Sequence, residues 1–295
     1  MKKKFLFLLP IFFINLVSAE DCSITNLGGC LAQKFFEFLL SILNAPIQPL
    51  LDSVYYLLTQ PVNIGIFSSI WSIIVYILSM FYGLLLMYVG VRFILSGHSP
   101  EQREKSKKML ASVIIMMVLV QASYYLYSMV IELASSVTTA IFNMVQQSFF
   151  LLTVDNITNI GLELILIIPY LGSVMITLIL LVLRYMIVSA GVILFPIGIF
   201  FYFFEPLNHY GKLIINFLFA VIFITFFYSI IFLASSKLLD IGTFQNMKIL
   251  VMIGAFTFVN TITIFVSLFV LIKSASKVAA PIMQVVSVVS AVAGV

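Results

Sequence analysis

Uncharged apolar runs of about twenty residues recur along this chain, set apart by short polar stretches. Residues 66–95 form the clearest run, with Trp71 near one end and Arg92 at the other. Thirty helical residues reach about 45 Å, enough to cross both the hydrocarbon and the headgroups. Gly97 stands where that helix would stop. Ser99-Pro100-Glu101-Gln102 then reads as a helix start: a Ser N-cap, Pro at the first helical position and Gln completing a capping box. The new helix is expected to run to about Ser135, its first two turns in water. Residues 213–236 and 249–272 predict two further crossings, joined by a short loop from Asp240 to Asn246.

Residues 164–183 and 185–204 are each uncharged, with Arg184 alone between them. Two readings stay open. Either the chain crosses twice and Arg184 marks a tight cytoplasmic turn, giving six crossings, or one long helix is broken or re-entrant near Gly191 and Pro196, giving five. No turn signal flanks Arg184, which favours the single crossing. The strict alternation of a membrane β-barrel is absent, so the fold class is all-α, a polytopic membrane protein of about five transmembrane helices plus short interfacial ones.

The remaining segments are less regular. Lys2, Lys3 and Lys4, an apolar core from Phe5 to Leu16, and Val17-Ser18-Ala19 read as a signal peptide over 1–19, cleaved after Ala19, with an uncleaved anchor as the alternative. Residues 20–65 then make an outer segment. Pro46 and Pro49 interrupt it into two short interfacial helices, with Tyr55 and Tyr56 at the boundary, and a single kinked crossing is the alternative. Residues 66–135 form a hairpin with its tip at 96–108, 136–161 an outer loop, 162–275 a C-terminal bundle, and 276–295 an apolar tail. Ala140 to Leu152 is expected to rest on the surface.

Composition rules out the soluble class. Hydrophobic residues make up 63% of the chain and charged ones 9%, against about 25% charged in a typical soluble domain. Removing the three N-terminal lysines leaves twelve basic against eleven acidic residues, so the pI near 9.0 says little about nucleic acid. Six of the 26 charges fall between Glu101 and Lys108. Over 92–108 the bases Arg92, Arg103, Lys105, Lys107 and Lys108 outnumber Glu101 and Glu104 by three. A positive-inside anchor explains that excess, and puts the tip in the cytosol with the mature N-terminus and 135–161 outside. DNA gripping needs more free charge, so direct nucleic-acid contact is unsupported; lipid headgroups or a docking ATPase suit the tip better. Cys22 and Cys30 lie on the outer side, where a disulfide or two free thiols are both compatible with the spacing.

No phosphate-binding loop, dinucleotide fingerprint, zinc-protease motif or nucleophile elbow occurs, so neither an enzyme nor a cofactor or metal site is expected. Arg184 and Glu163 are the nearest intramembrane charges, and they keep a small-solute or ion transporter or channel as the rival reading.

Two stretches carry a family likeness. One is the hinge "SGHSPEQREKSKKML" between two spanning helices. The other is "LRYMIVSAGVILFPIGIFFYFFEPLNHYGKL", residues 183–213: an Arg entering an apolar run, a Pro a dozen residues on, then a polar Pro-containing patch. Together they resemble the TrbL family, the polytopic membrane subunits of conjugation and type IV secretion systems, to which archaeal DNA-transfer membrane proteins are related. The resemblance implies about five crossings, an outward N-terminus and a cytoplasmic C-terminus in the inner membrane. It also implies a place in a platform or channel that passes DNA or protein, with a homo-oligomer, pilin subunits and separate ATPases as partners. Arg184 and Pro196 carry over as landmarks, and Arg184, Gly191 and Pro196 are the expected conduit or helix-break residues. Arg184 snorkelling to cytoplasmic headgroups is the alternative. The outer loop at 135–161 is shorter than family members often have.

Overall fold

Helix α3 (Pro100–Phe142) starts where the local sequence directs it: the Ser99 side chain accepts from the Gln102 N–H at 3.3 Å, and Pro100 fills the first helical position. A computed structural model describes residues 27–96, 99–151, 160–245 and 247–269. Most of the described residues are helical, in α1 (Leu27–Thr59), α2 (Ser68–Leu95), α3, α4 (Ile160–Phe203), α5 (Asn208–Leu238), the short α6 (Gly242–Gln245) and α7 (Lys248–Phe269). Five of them, α2, α3, α4, α5 and α7, are long and apolar enough to cross a membrane. The protein is a multi-pass, all-α membrane protein.

The stretch around Arg184 resolves into a single element. Helix α4 runs for 44 residues through Gly191 and Pro196, so the separate crossings drop out and the backbone expected to break there is helical. Proline removes one ladder bond, a loss that long membrane helices tolerate when neighbours pack around the site; Pro196 is buried among α4's partners. The N-terminal segment departs from expectation in the same direction. Instead of two short helices, α1 is one 33-residue helix with Pro46 and Pro49 inside it. Ile47, Val54 and Leu58 share its buried face, and that packing outweighs the cost of the prolines. Helix α3 also passes its expected end near Ser135 and reaches Phe142. At its end and just beyond it Phe142, Val145 and Phe149 are buried, while Met144 on the other face is 64% exposed.

The core has two storeys. One cluster joins the α1–α2 connection, α2, α3, the C-terminal half of α4 and the start of α5, around Val89, Val120, Val188, Val192 and Leu218. The other joins α1, the end of α3, the N-terminal half of α4, the rest of α5 and α7, around Tyr170, Val174, Phe232, Met252 and Phe256. Helices α3, α4 and α5 run through both. The aromatic rings Phe142, Phe150, Phe232 and Phe256 meet in the second cluster at centroid distances of 4.9–6.0 Å, Phe142 and Phe150 stacked and the other pairs edge-on or tilted. Residues 1–19, Cys22, Gly97, His98 and 276–295 lie outside the described residues. The expected signal peptide, one cysteine of the Cys22–Cys30 pair and the apolar tail fall there.

Candidate functional site

Where the two clusters meet, the bundle carries a band of polar side chains. Arg184 is the middle residue of the apolar span Ile165–Phe203, nineteen residues or about 28 Å from either end. Its side chain is only 9% exposed. The guanidinium turns into the bundle: Nε donates to the Val221 carbonyl at 3.1 Å and a terminal nitrogen to the Ile222 carbonyl at 2.9 Å, both on α5. It does not snorkel, and among the described residues no carboxylate pairs with it. Leu181 and Val188, one turn to either side, belong to different clusters, so the arginine marks the seam.

The seam continues on the neighbouring helices. Thr138 of α3 donates to the Ala134 carbonyl at 2.7 Å and stands 3.4 Å from the Thr225 hydroxyl of α5. The Tyr127 hydroxyl donates to the Val188 carbonyl at 2.8 Å, tying α3 to α4. Gly191 makes that bond sterically available: a Cβ there would collide with the Tyr127 hydroxyl and the Leu218 side chain. Tyr228 of α5 and Thr263 of α7 share a hydroxyl–hydroxyl bond. About two turns before Arg184 on α4, Thr177 donates to Asn260 Oδ1 at 2.8 Å, while Asn260 Nδ2 donates to the Ser173 carbonyl at 3.1 Å. The α1–α2 connection docks at the same level, with the Asn63 N–H donating to the Tyr185 hydroxyl at 3.1 Å. The C-terminal carbonyl of α1, at Thr59, accepts from both Ser135 and Thr139. Backbone and side-chain donors that lipid would leave unpaired thus find partners across helices.

The sequence pointed to Arg184, Gly191 and Pro196, and the fold places all three on the inner faces of α4. It missed Thr138, Thr177, Thr225 and Asn260. Their signal was an isolated small polar residue in an uncharged apolar run, the pattern of an interhelical hydrogen bond. Gln121, which reads as another such residue, is exposed and faces the Tyr82 hydroxyl without reaching bonding geometry.

The hairpin tip is a separate feature some way from this seam. Lys105 pairs with Glu101 at 3.1 Å and Lys108 with Glu104 at 2.8 Å, all four exposed and in the favourable i,i+4 order. Arg103 lies over the Phe93 ring at 5.9 Å. Arg92 and Lys107 are exposed. Among the described residues the seam's hydrogen bonds join α3 to α4 and α5, and α7 to α4 and α5. Across the α4–α5 reversal, Gly211 permits a very close backbone approach, since a Cβ there would strike the main chain of Tyr202.

No match to a curated protein or to a solved structure was found. A family model described as TrbL/VirB6 plasmid conjugal transfer like protein matches residues 24–294. That match takes in the hairpin, the seam and all five candidate spans, and the chain therefore belongs to the TrbL/VirB6 plasmid conjugal transfer-like family.

Proposed function

We propose that the chain is a non-enzymatic platform or channel-forming subunit of a conjugation-like, type IV secretion machine that transfers DNA or protein across the inner membrane. Beyond family membership, the observation that carries this reading is the state of Arg184. This buried guanidinium, the kind of group a lumen would use, is engaged by the α5 backbone, and apolar clusters fill the bundle above and below it. A passage for a large substrate then forms between copies of the chain, or between it and other subunits, rather than through one copy. Energy comes from separate ATPases, and pilin subunits meet the same platform. Arg184, Gly191 and Pro196 act in this reading by setting how α4 and α5 pack, which positions the faces that other subunits meet.

The orientation proposed has the mature N-terminus outside and the C-terminus in the cytoplasm. Two contacts support it. The basic tip residues Lys105 and Lys108 line one groove together with Glu205, Pro206 and Leu207, so both connections sit at one end of the bundle. At the opposite end Lys248 donates to the Ser148 carbonyl at 2.6 Å. The test is purification in mild detergent from cells carrying the transfer machine, with measurement of oligomeric state, co-purifying subunits and transfer efficiency on deletion. Expected are an oligomer, other secretion subunits, and loss of transfer that the intact gene restores. A strict monomer without partners that moves a small solute in liposomes would overturn the reading in favour of a transporter.

A further inference from the structure

The geometry points to a binding site for an anionic phospholipid of the cytoplasmic leaflet, in the groove between the α2–α3 hairpin and the C-terminal end of α4. The groove holds about 1000 Å³, the upper end of the roughly 300–1,000 Å³ usual for small-molecule sites. Val113 and Met116 of α3, both buried, and Leu84 of α2 line it, and Phe81 of α2 meets Phe200 of α4 at a ring-centroid distance of 6.2 Å. Its lining extends along α2 from Ile74 to Arg92, about 27 Å at 1.5 Å per residue. That accommodates the acyl chains of one leaflet, whose hydrocarbon is about half of the ~30 Å core. Leu84 and Tyr88 remain 65% and 50% exposed, so the α2 wall opens sideways, where lipid rather than a water-borne solute would enter.

Charge is confined to one end. Arg92, Lys105 and Lys108 stand at the mouth, with Glu205 as the single acid among the lining residues. The Arg92 guanidinium donates to Met109 Sδ at 3.7 Å, a neutral partner that leaves its charge uncompensated. The glutamate partners of Lys105 and Lys108 are well hydrated. Exposed pairs of that kind are weak, so both ammonium groups are free to turn toward a phosphate. An apolar body with a basic mouth on the cytosolic side matches an amphiphile with a negative head. A nucleic acid would use the mouth and leave the body empty, and a polar solute would find few hydrogen-bonding partners along the body beyond Ser112 and Tyr88.

The experiment is native mass spectrometry of the full chain, delipidated in mild detergent and offered phosphatidylglycerol or phosphatidylcholine of the same acyl composition. Expected is at least tenfold more bound phosphatidylglycerol than phosphatidylcholine. Replacing Arg92, Lys105 and Lys108 together by Gln brings phosphatidylglycerol down to the phosphatidylcholine level. Leu84→Trp, which fills the body and leaves the mouth intact, lowers retention of both lipids; Leu84→Phe takes its place if the elution profile on size exclusion shows aggregation. Equal retention of the two lipids by the unaltered chain overturns the proposal. So does phosphatidylglycerol binding that survives filling of the body, or that an equimolar single-stranded DNA oligonucleotide displaces. These readouts are independent of transfer activity, so their failure leaves the platform reading untouched.

Discussion

Replacing Arg184 by Met separates what the arginine contributes to stability from what it contributes to function. The substitution keeps much of the length of the side chain and removes its charge. It loses two side-chain bonds to the Val221 and Ile222 carbonyls. Interhelical bonds in membrane proteins average about 0.6 kcal/mol and reach about 1.7, so the loss is about 1–3 kcal/mol. The two carbonyls keep their own helical partners one turn along α5 and are not orphaned. Against this, a charged residue at mid-helix costs about 2.5–3.5 kcal/mol on insertion scales, and that cost disappears. The two terms nearly cancel, and Arg184→Met is expected to fall within about 1 kcal/mol of the parent or to be more stable by up to about 2 kcal/mol. Arg184→Glu aims a carboxylate at the same carbonyls and is expected to destabilise by about 3–5 kcal/mol. Trp71 is the single tryptophan; its Nε1 donates to Ser123 at 2.9 Å and its ring lies 5.3 Å from Tyr124. Its fluorescence during a denaturing-detergent titration therefore reports the loss of the α2–α3 contact. A Met variant that loses as much stability as the Glu variant would refute the reasoning, because the charge itself would then be holding α4 to α5.

Three more outcomes rest on the geometry. Gly191→Ala puts a methyl where the Tyr127 hydroxyl lies and is expected to cost about 1–3 kcal/mol; adding Tyr127→Phe relieves part of it, so a double-mutant cycle in the same titration shows non-additivity, and additive effects would count against the contact. Asn260→Leu removes the bonds that join α7 to Thr177 and Ser173 and is expected to lower stability by about 1–3 kcal/mol, read as a lower unfolding midpoint. Changing Arg103, Lys105, Lys107 and Lys108 to Gln leaves Arg92 alone against Glu101 and Glu104; the positive-inside bias is lost, and labelling of a cysteine placed in the tip should detect molecules with the tip outside, whereas uniform cytosolic labelling would show that later segments set the topology.

The local signals and the long-range ones divided cleanly in this chain. The helix start at Ser99 is written in four consecutive residues, and the structure has the Ser99 half of that cap, the Ser99 N–H itself donating to the Ser96 carbonyl. The ion pairs Glu101–Lys105 and Glu104–Lys108 are set by spacing alone, and both form. Apolar run length predicted the five spans because a lipid-embedded backbone has to satisfy its own hydrogen bonds within each segment. Prolines misled at 46, 49 and 196 because their cost is local, while the packing that outweighs it comes from other helices.

By itself, then, the sequence determined that this is an all-α, multi-pass membrane protein with a basic hairpin tip, and the hinge and the Arg184–Pro196 region carried enough of a pattern to name its family. Those properties depend on hydropathy, spacing and charge read within a window of a few turns. Only the tertiary structure decided whether Arg184 faces lipid, water or protein, since the carbonyls that hold it lie 37 and 38 residues further along the chain. It alone brought Thr138 to Thr225 and Thr177 to Asn260, and set the hairpin's basic end beside α4 to open a groove. In a run of uniformly apolar residues every helical face looks alike, and which face turns inward is settled by the neighbours it meets.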